Sequence, residues 1–139
     1  MDMELANKVA WVTGATGAIG HEIAMSFARE GAKVAVSART EGALHSLVRE
    51  IESSGGNAIA VSLDVTNSVD VKAGAEKIVS EMGAIEILAT TVAVPAFGPF
   101  LEIDGDIFRQ ALEVKYLGYI NCFQAVLPHM VKQGAGSIV

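Results

Sequence analysis

The stretch that decides the fold is Thr13-Gly14-Ala15-Thr16-Gly17-Ala18-Ile19-Gly20, which directly follows the apolar run Val9–Thr13. Glycines at these spacings let the chain turn sharply off a strand and bring its backbone close to an anion. They also leave N–H groups at the start of the following helix facing that anion. Because the stretch lies between an apolar strand and an amphipathic helix, it predicts a nucleotide or dinucleotide site. The alternative is a merely tight turn between a strand and a helix.

Outward from this turn, short apolar runs alternate with amphipathic stretches along the chain. The runs are continuous rather than alternating, which is typical of strands covered on both faces of a parallel sheet. We predict strands at Val9–Thr13, Val34–Ser37, Ala58–Leu63, Ile85–Thr90 and Ser137–Val139. This order predicts an α/β fold with a doubly wound parallel sheet and right-handed crossovers.

Three amphipathic helices connect the first four strands, and each carries one apolar stripe. The first stripe is predicted at Ile19, Ile23 and Phe27. The members of the second and third stripes are Leu44, Leu47, Val48 and Ile51, and Val71, Ala75, Ile78 and Met82. Each stripe is expected to face the sheet.

A fourth helix, predicted at about Ile107–Lys132, is apolar almost all round. Its part Tyr116–Val131 contains no acidic or basic side chain except His129. One face can cover the sheet, and the other then needs a second partner. We therefore expect a homo-oligomer formed through the helix around Tyr116–Val131. The alternative is a helix buried under later parts of a chain.

The composition excludes several classes of protein. A length of 139 residues fits one domain, and a hydrophobic content of 51% excludes disorder. The net charge of −6 disfavours nucleic acid and anionic membranes as partners, and no apolar stretch is long enough to span a bilayer. The single Cys122 and the three histidines lack metal-ligand spacing, so no metal is expected. Since the N-terminus does not resemble a secretory signal, the expected location is cytoplasmic.

The end of the second strand, Ser37-Ala38-Arg39-Thr40, indicates which cofactor is bound. A carboxylate normally stands here to bind the hydroxyls of an NAD ribose. None is present, and Arg39 offers donors suited to a 2′-phosphate, so the sequence favours NADP(H) over NAD(H). The alternative is that Arg39 is a solvated loop cation. Asp64, after the third strand, is placed to reach an adenine amino group or to cap the following helix.

These motifs resemble the N-terminal half of a short-chain dehydrogenase/reductase, over nearly all 139 residues. The resemblance is carried by the glycine-rich turn, by Leu63-Asp64-Val65-Thr66 and by Gly136-Ser137-Ile138-Val139. It implies a Rossmann-type sheet in the order 3-2-1-4-5, truncated after strand five. Residues 1–139 would then form a single NAD(P)-binding domain that is incomplete at its C-terminus. It also implies hydride transfer between a nicotinamide and a small carbonyl or alcohol substrate.

The resemblance assigns a role to particular residues of this chain. The turn would contact the phosphates and ribose, the end of the second strand the 2′-phosphate, and Asp64 with Val65 the adenine. Thr90 would hydrogen-bond at the end of the fourth strand. The residues implied to bind the cofactor are Gly14, Thr16, Gly17, Ile19, Ser37, Arg39, Asp64, Val65 and Thr90.

The chain departs from the family pattern at three places. Ala18 takes the position of the middle glycine, although Gly17 restores a variant spacing. Thr90-Thr91-Val92-Ala93 replaces an Asn-Asn-Ala-Gly segment, so Ala93 adds a Cβ where the family backbone lies close to the cofactor. Lys115 stands where the family has the Asn of a proton relay. Either a buried Lys115 replaces that donor, or the relay is lost.

The catalytic Ser and Tyr-x-x-x-Lys of the family lie beyond its fifth strand. Neither Tyr116 nor Tyr119 is followed by a Lys four residues later. Without the Tyr, no general acid stands beside the substrate oxygen, so residues 1–139 alone are expected to be inactive. The leading hypothesis is an NADP(H)-dependent oxidoreductase whose catalytic residues are absent from this chain. The alternative is a non-catalytic dinucleotide-binding module, or pseudoenzyme, that self-associates.

Overall fold

A parallel sheet of five strands organises the fold in a computed structural model that describes residues 3–139. The strands are β1 (Val9–Thr13), β2 (Lys33–Ser37), β3 (Asn57–Ala60), β4 (Ile85–Thr90) and β5 (Ser137–Ile138). Their order in the sheet is β3-β2-β1-β4-β5, and every neighbouring pair is parallel. The predicted fold class and strand order are confirmed.

Helices cover both faces of the sheet. They are α1 (Ala18–Arg29), α2 (Glu41–Ser53), α3 (Ser68–Met82), α4 (Gly105–Leu112) and α5 (Gly118–Gln133), with a 3₁₀ turn at Phe100–Glu102. One core lies between the sheet and α1 with α2, and a second lies between the sheet and α3 with α5. This division follows from right-handed crossovers that run first to one side of β1 and then to the other.

The predicted fourth helix is not regular. A π-helical turn, Glu113–Leu117, separates α4 from α5. Such a turn widens the helix by one residue and shifts the residues that follow it. Directly after it, Gly118 packs so closely on Val65 that a Cβ would lie 2.8 Å from Val65 Cγ2. The helix predicted at about Ile107–Lys132 is confirmed in its extent, since the chain stays helical from Gly105 to Gln133, with the π-helical turn in its middle.

Two strands end earlier than the sequence indicates. The third strand was expected to reach Leu63, but its ladder ends at Ala60. Beyond that point the chain stays extended and still bonds to the β2 side, because Leu63 N donates to the carbonyl of Ala38 at 3.1 Å. Similarly, Val139 lies outside β5, although its N–H donates to the carbonyl of Leu88 at 2.9 Å.

The apolar stripe predicted on α1 is only partly buried, because Ile23 and Phe27 pack against the core while Ile19 does not. Ile19 is 72% exposed, and Ile23 and Phe27 are only half-buried. The buried residues are Gly20, Ala24, Met25 and Ala28. Small side chains let α1 lie close to the sheet, which leaves the larger ones on its flank. The stripes on α2 and α3 are confirmed, with Val48 half-buried.

Large apolar side chains remain exposed on α4, on the π-helical turn and on α5. The buried face of α5 consists of Gly118, Cys122, Val126 and Met130. The exposed set includes Leu112, Tyr116, Leu117, Leu127 and Val131. Self-association through this helix stays a prediction. Across residues 3–139, no helix combines the length and the apolar character needed to cross a membrane.

Candidate functional site

A cleft of about 500 Å³ lies at the carboxyl edge of the sheet. It sits where the strand order reverses between β1 and β4, which is where ligands bind in open α/β sheets. Four groups of residues line it, from the loop after β1, the end of β2, the segment after β3 and the segment after β4, together with α4 and the π-helical turn. The lining residues are Gly14, Thr16, Gly17, Ser37, Ala38, Arg39, Thr40, Leu63, Asp64, Val65, Thr66, Thr91, Val92, Ala93, Val94, Pro95, Gln110, Glu113 and Val114.

Two glycines of the loop formed by residues 13–20, here called the glycine loop, are required by the packing of the chain itself. Gly14 has a φ of +72°, and a Cβ there would lie 2.7 Å from the backbone nitrogen of Val92. A Cβ at Gly20 would overlap the carbonyl oxygen of Gly14 and lie 2.6 Å from Thr91 Oγ1. The loop is thereby pressed against the segment that leaves β4.

Gly17 differs from the other two glycines of the loop. Its φ of −78° suits any residue. A Cβ there would meet only the carbonyl oxygen of Gly14, at the ordinary distance of 3.4 Å. Gly17 is the N-cap residue of α1 and, being a glycine, has no side chain that caps the helix. The missing Cβ therefore leaves open space beside the first turn of α1, where an anion can approach the backbone N–H groups.

Thr91 connects the glycine loop to the segment formed by residues 90–95, here called the exit segment. Its Oγ1 lies 2.8 Å from the carbonyl oxygen of Thr13 and 3.1 Å from that of Gly14, so one hydroxyl proton is shared between two acceptors. Its backbone N–H also donates to the carbonyl of Thr13, at 3.0 Å. The sequence reasoning singled out Thr90 instead. The Thr90 hydroxyl donates to the carbonyl of Val139 at 3.1 Å, and Thr90 does not line the cleft.

Two polar side chains of α5 form hydrogen bonds to the backbone of segments beside the cleft. The hydroxyl of Tyr119 lies 3.1 Å from the carbonyl oxygen of Thr90 and 3.3 Å from that of Val92. The amide of Asn121 donates to the carbonyl of Val65 at 2.8 Å. Sequence reasoning missed both. The available signal was that they are polar positions within an otherwise apolar helix.

The end of β2 places Ser37 and Arg39 in the lining of the cleft. Ser37 is 1% exposed, and its Oγ accepts a hydrogen bond of 2.8 Å from Trp11 Nε1. Arg39 is exposed and forms no salt bridge with any carboxylate in the described part of the chain. Its guanidinium is therefore available to an anionic ligand.

Asp64 lies in the cleft lining, in the turn that follows β3. Its Oδ1 accepts hydrogen bonds from the Thr66 backbone N–H at 2.9 Å and from Thr66 Oγ1 at 2.8 Å. Asn67, not Asp64, is the N-cap residue of α3, since its side chain accepts from Val69 N and Asp70 N. The alternative role proposed for Asp64, capping the following helix, is therefore wrong.

Three of the predicted site residues lie outside the cleft, while all the other predicted cofactor residues line it. Besides Thr90, these are Ile19 and Lys115. Ile19 lines a separate apolar groove on the flank of α1, of about 560 Å³, together with Ile23 and Phe27. Lys115 is exposed on the π-helical turn, so a buried Lys at this position is wrong.

The family model described as short chain dehydrogenase matches residues 8–139. The chain belongs to this family. The predicted resemblance to the N-terminal half of a short-chain dehydrogenase/reductase is thereby confirmed.

Individual short-chain dehydrogenases are similar to this chain over almost all of its length. It is 36% identical over 138 residues to the 7alpha-hydroxysteroid dehydrogenase of Escherichia coli strain K12, covering 99% of this chain and 54% of that protein. A short-chain type dehydrogenase/reductase from Mycobacterium marinum superposes with a TM-score of 0.90 at 32% identity, covering 96% of this chain and 55% of that one. A metagenomic short-chain oxidoreductase solved in complex with NADP gives a TM-score of 0.87 at 28% identity, covering 96% and 61%. The chain thus spans about half the length of the relatives it matches.

Proposed function

We propose that this chain forms the cofactor-binding part of an NADP(H)-dependent short-chain dehydrogenase that acts on a small carbonyl or alcohol substrate. The observation that carries the proposal is the cleft at the carboxyl edge of the sheet. Its glycine loop leaves the start of α1 open at Gly17, and Arg39, at the other end, has no carboxylate partner among residues 3–139. The relative solved with NADP supports the same choice of cofactor.

The lining of the cleft suits the parts of a dinucleotide. Gly14, Thr16 and Gly17 would hold the pyrophosphate through backbone N–H groups at the start of α1. Asp64 and Val65 would hold the adenine ring. The bound nicotinamide supplies or accepts the hydride, whereas the residues of this chain bind and orient the dinucleotide.

Preference for NADP(H) rests on the end of β2. No carboxylate stands among Ser37, Ala38, Arg39 and Thr40, all of which line the cleft. A carboxylate here would bind the two ribose hydroxyls of NAD and repel a 2′-phosphate. Arg39 would instead pair with that phosphate through charge-assisted hydrogen bonds.

Cofactor binding, rather than enzymatic turnover, is the property of this chain that tests the proposed function. The chain spans about half the length of its relatives, so the activity of the whole protein is part of the proposal. No Tyr-x-x-x-Lys sequence occurs in residues 1–139. We propose that the general acid of the reaction comes from residues other than these.

Calorimetric titration of the chain with NADP⁺ and with NAD⁺ tests the proposal. We expect saturable binding of both, with NADP⁺ the tighter. Because hydrogen bonds to charged groups are worth about 1.5–3 kcal/mol, Arg39→Gln should weaken NADP⁺ binding by about 10- to 100-fold and leave NAD⁺ binding within about twofold. Arg49→Gln is the matched control, since Arg49 lies on α2 and contacts Ser46 outside the cleft. Absence of NADP⁺ binding, or equal losses for both dinucleotides, would contradict the proposal.

A further inference from the structure

Trp11 and Ser37 form a buried polar contact at the floor of the cleft. Trp11 is fully buried in β1 and is the single tryptophan of the chain. Its indole N–H donates to Ser37 Oγ at 2.8 Å. Ser37 lines the cleft and Trp11 does not. The indole therefore lies one hydrogen bond away from any ligand that contacts the Ser37 hydroxyl.

This bond restricts the direction of the Ser37 hydroxyl proton. An indole N–H can only donate, so Ser37 Oγ is the acceptor and its own proton points away from Trp11. The backbone carbonyl of Ser37 is also occupied, because it accepts from Ala15 N at 3.1 Å. Within residues 3–139, no hydrogen bond uses the Ser37 hydroxyl as donor. Because Ser37 lines the cleft, an acceptor bound there can take this proton.

The packing around Trp11 fixes the direction of its N–H. The indole belongs to the core between the sheet and α3 with α5, which also contains Leu63 and Val65 from the cleft lining. Gly74 of α3 makes room for this arrangement, because a Cβ there would lie 2.6 Å from Leu63 Cδ2 and 4.0 Å from Trp11 Cζ2. A fully buried ring in such a site cannot turn to follow Ser37. The serine hydroxyl must therefore align with the indole.

We propose that Trp11 is a positioning residue that aims the Ser37 hydroxyl proton at an oxygen of the adenosine ribose of the bound cofactor. This inference rests on the proposed function, because it names a further donor in the same cleft. Ser37 and Arg39 then have different roles. The neutral Ser37 hydroxyl serves a ribose with or without a 2′-phosphate, whereas Arg39 serves only the phosphate.

The emission of Trp11 gives a direct readout, since no other tryptophan contributes. Adenosine 2′,5′-bisphosphate is a suitable probe because it lacks the dihydronicotinamide of NADPH, whose absorption overlaps the indole emission and would quench it by energy transfer. We expect a saturable change in Trp11 emission on titration. Ser37→Ala should remove this change and weaken binding by about fivefold in calorimetry, the loss of one neutral hydrogen bond. It should weaken NADP⁺ and NAD⁺ binding equally.

Two matched variants separate this role from general effects on the fold. Arg39→Gln should bind the bisphosphate more weakly but give the wild-type emission change at saturation, because the contact between Trp11 and Ser37 is intact. Ser46→Ala removes a hydroxyl on α2 that donates to the carbonyl of Gly42, outside the cleft. It should change neither the emission nor the affinity.

A double-mutant cycle tests whether Trp11 acts through Ser37. Trp11→Phe should weaken binding about as much as Ser37→Ala does, and the double variant should bind no more weakly than Ser37→Ala alone. Independent, additive losses would overturn the positioning role. If Trp11→Phe does not fold, the emission change and its loss in Ser37→Ala still decide the question.

The failure of this inference can be distinguished from the failure of the proposed function. If calorimetry shows bisphosphate binding while Trp11 emission stays constant and Ser37→Ala binds as tightly as wild type, the role of Trp11 is overturned and cofactor binding stands. If neither the bisphosphate nor NADP⁺ binds in calorimetry, the proposed function fails, and this inference fails with it.

Discussion

The glycine loop and the exit segment both line the cleft and are in direct contact, and they contribute to this contact by opposite means. In the glycine loop the contact depends on atoms that are missing, because a Cβ at Gly14 or Gly20 would overlap the exit segment or the loop itself. In the exit segment it depends on a side chain that is present, the Thr91 hydroxyl between two loop carbonyls. The need for a missing Cβ can be recognised from the spacing of glycines in the sequence. The need for the Thr91 hydroxyl can be recognised only once the structure shows that the two segments are in contact.

The largest expected effect comes from adding a methyl group to the glycine loop. Gly20→Ala places a Cβ against the Gly14 carbonyl and 2.6 Å from Thr91 Oγ1. It should lower the free energy of unfolding by about 3 kcal/mol, the upper end of the usual cost of overpacking, because both the loop and the exit segment must shift. Urea unfolding, followed by Trp11 emission, measures this change.

Gly17→Ala is the matched change within the same loop. Its Cβ meets only the Gly14 carbonyl at 3.4 Å, so the cost to stability should stay below about 1 kcal/mol, the scale of an N-cap preference. It should instead weaken dinucleotide binding, since the methyl group enters the space beside the first turn of α1. If Gly17→Ala and Gly20→Ala lowered the stability equally, the distinction between Gly20, which serves packing, and Gly17, which faces the ligand, would be contradicted.

A smaller effect is expected from the exit segment. Thr91→Val keeps the shape of the side chain but leaves the carbonyls of Thr13 and Gly14 without the hydroxyl. It should lower the free energy of unfolding by about 1–2 kcal/mol, and Thr91→Ser should recover most of that loss. Urea unfolding again gives the measurement.

Thr90→Val is the control for the exit segment, because the neighbouring hydroxyl donates to Val139 at an exposed site. Its cost should be about 0.5 kcal/mol. If Thr90→Val proved as costly as Thr91→Val, the contact with the glycine loop would not be what stabilises the exit segment.

The smallest effect concerns charge near the loop. His21, the residue after Gly20, lies 2.9 Å from Glu50 of α2 and 3.5 Å from Glu22. The hydrogen bond to Glu50 raises the pKa of His21 above its ordinary value of 6.5, and the Coulombic attraction of both carboxylates acts in the same direction. The folded pKa exceeds the unfolded one, so this stabilisation is complete below pH 6.5 and is lost as the pH rises through the folded pKa.

Urea unfolding at a series of pH values tests the ion pair. Because both side chains are substantially exposed, the loss between about pH 6 and about pH 8 should be under about 1 kcal/mol. His21→Gln should remove this part of the pH dependence, and His45→Gln should leave it in place. The cost of Gly20→Ala should be the same at both pH values, because that contact is steric. A pH-dependent cost would show that charge also holds the loop in place.

The parts of the fold that could be predicted are those governed by local rules. The continuous apolar runs located β1 and β4 at their observed residues, and the stripes on α2 and α3 are buried as expected. The stripe on α1 was wrong at Ile19 and right only in part at Ile23 and Phe27, because hydrophobicity alone favours burying the largest side chains. In this helix the glycine and alanines are the most buried residues instead, together with Met25, since α1 must follow a loop that is already pressed against the exit segment.

The residues that line the candidate site could be predicted from the sequence. The residues that hold this lining in place through hydrogen bonds could not. Gly14, Gly17 and Arg39 could be found because each lies in the connection that directly follows a strand, where sequence order gives spatial position. Thr91, Tyr119 and Trp11 act on segments far away in the chain. Their partners lie 78, 29 and 26 residues away, respectively. Spacing along the sequence carries no signal for contacts of that kind.

By itself the sequence determined the glycine loop and the absence of a carboxylate at the end of β2, whereas the expected strand order came from the resemblance to short-chain dehydrogenases. These properties follow from residue type at a position, because φ, Cβ volume and charge are local. Only the tertiary structure decided which glycines serve packing and which one faces the cleft. It also decided that Thr91 rather than Thr90 touches the loop, and that Trp11 holds the hydroxyl of Ser37. Those outcomes depend on which atoms meet when strands and helices pack, and the same residue types could have met other partners.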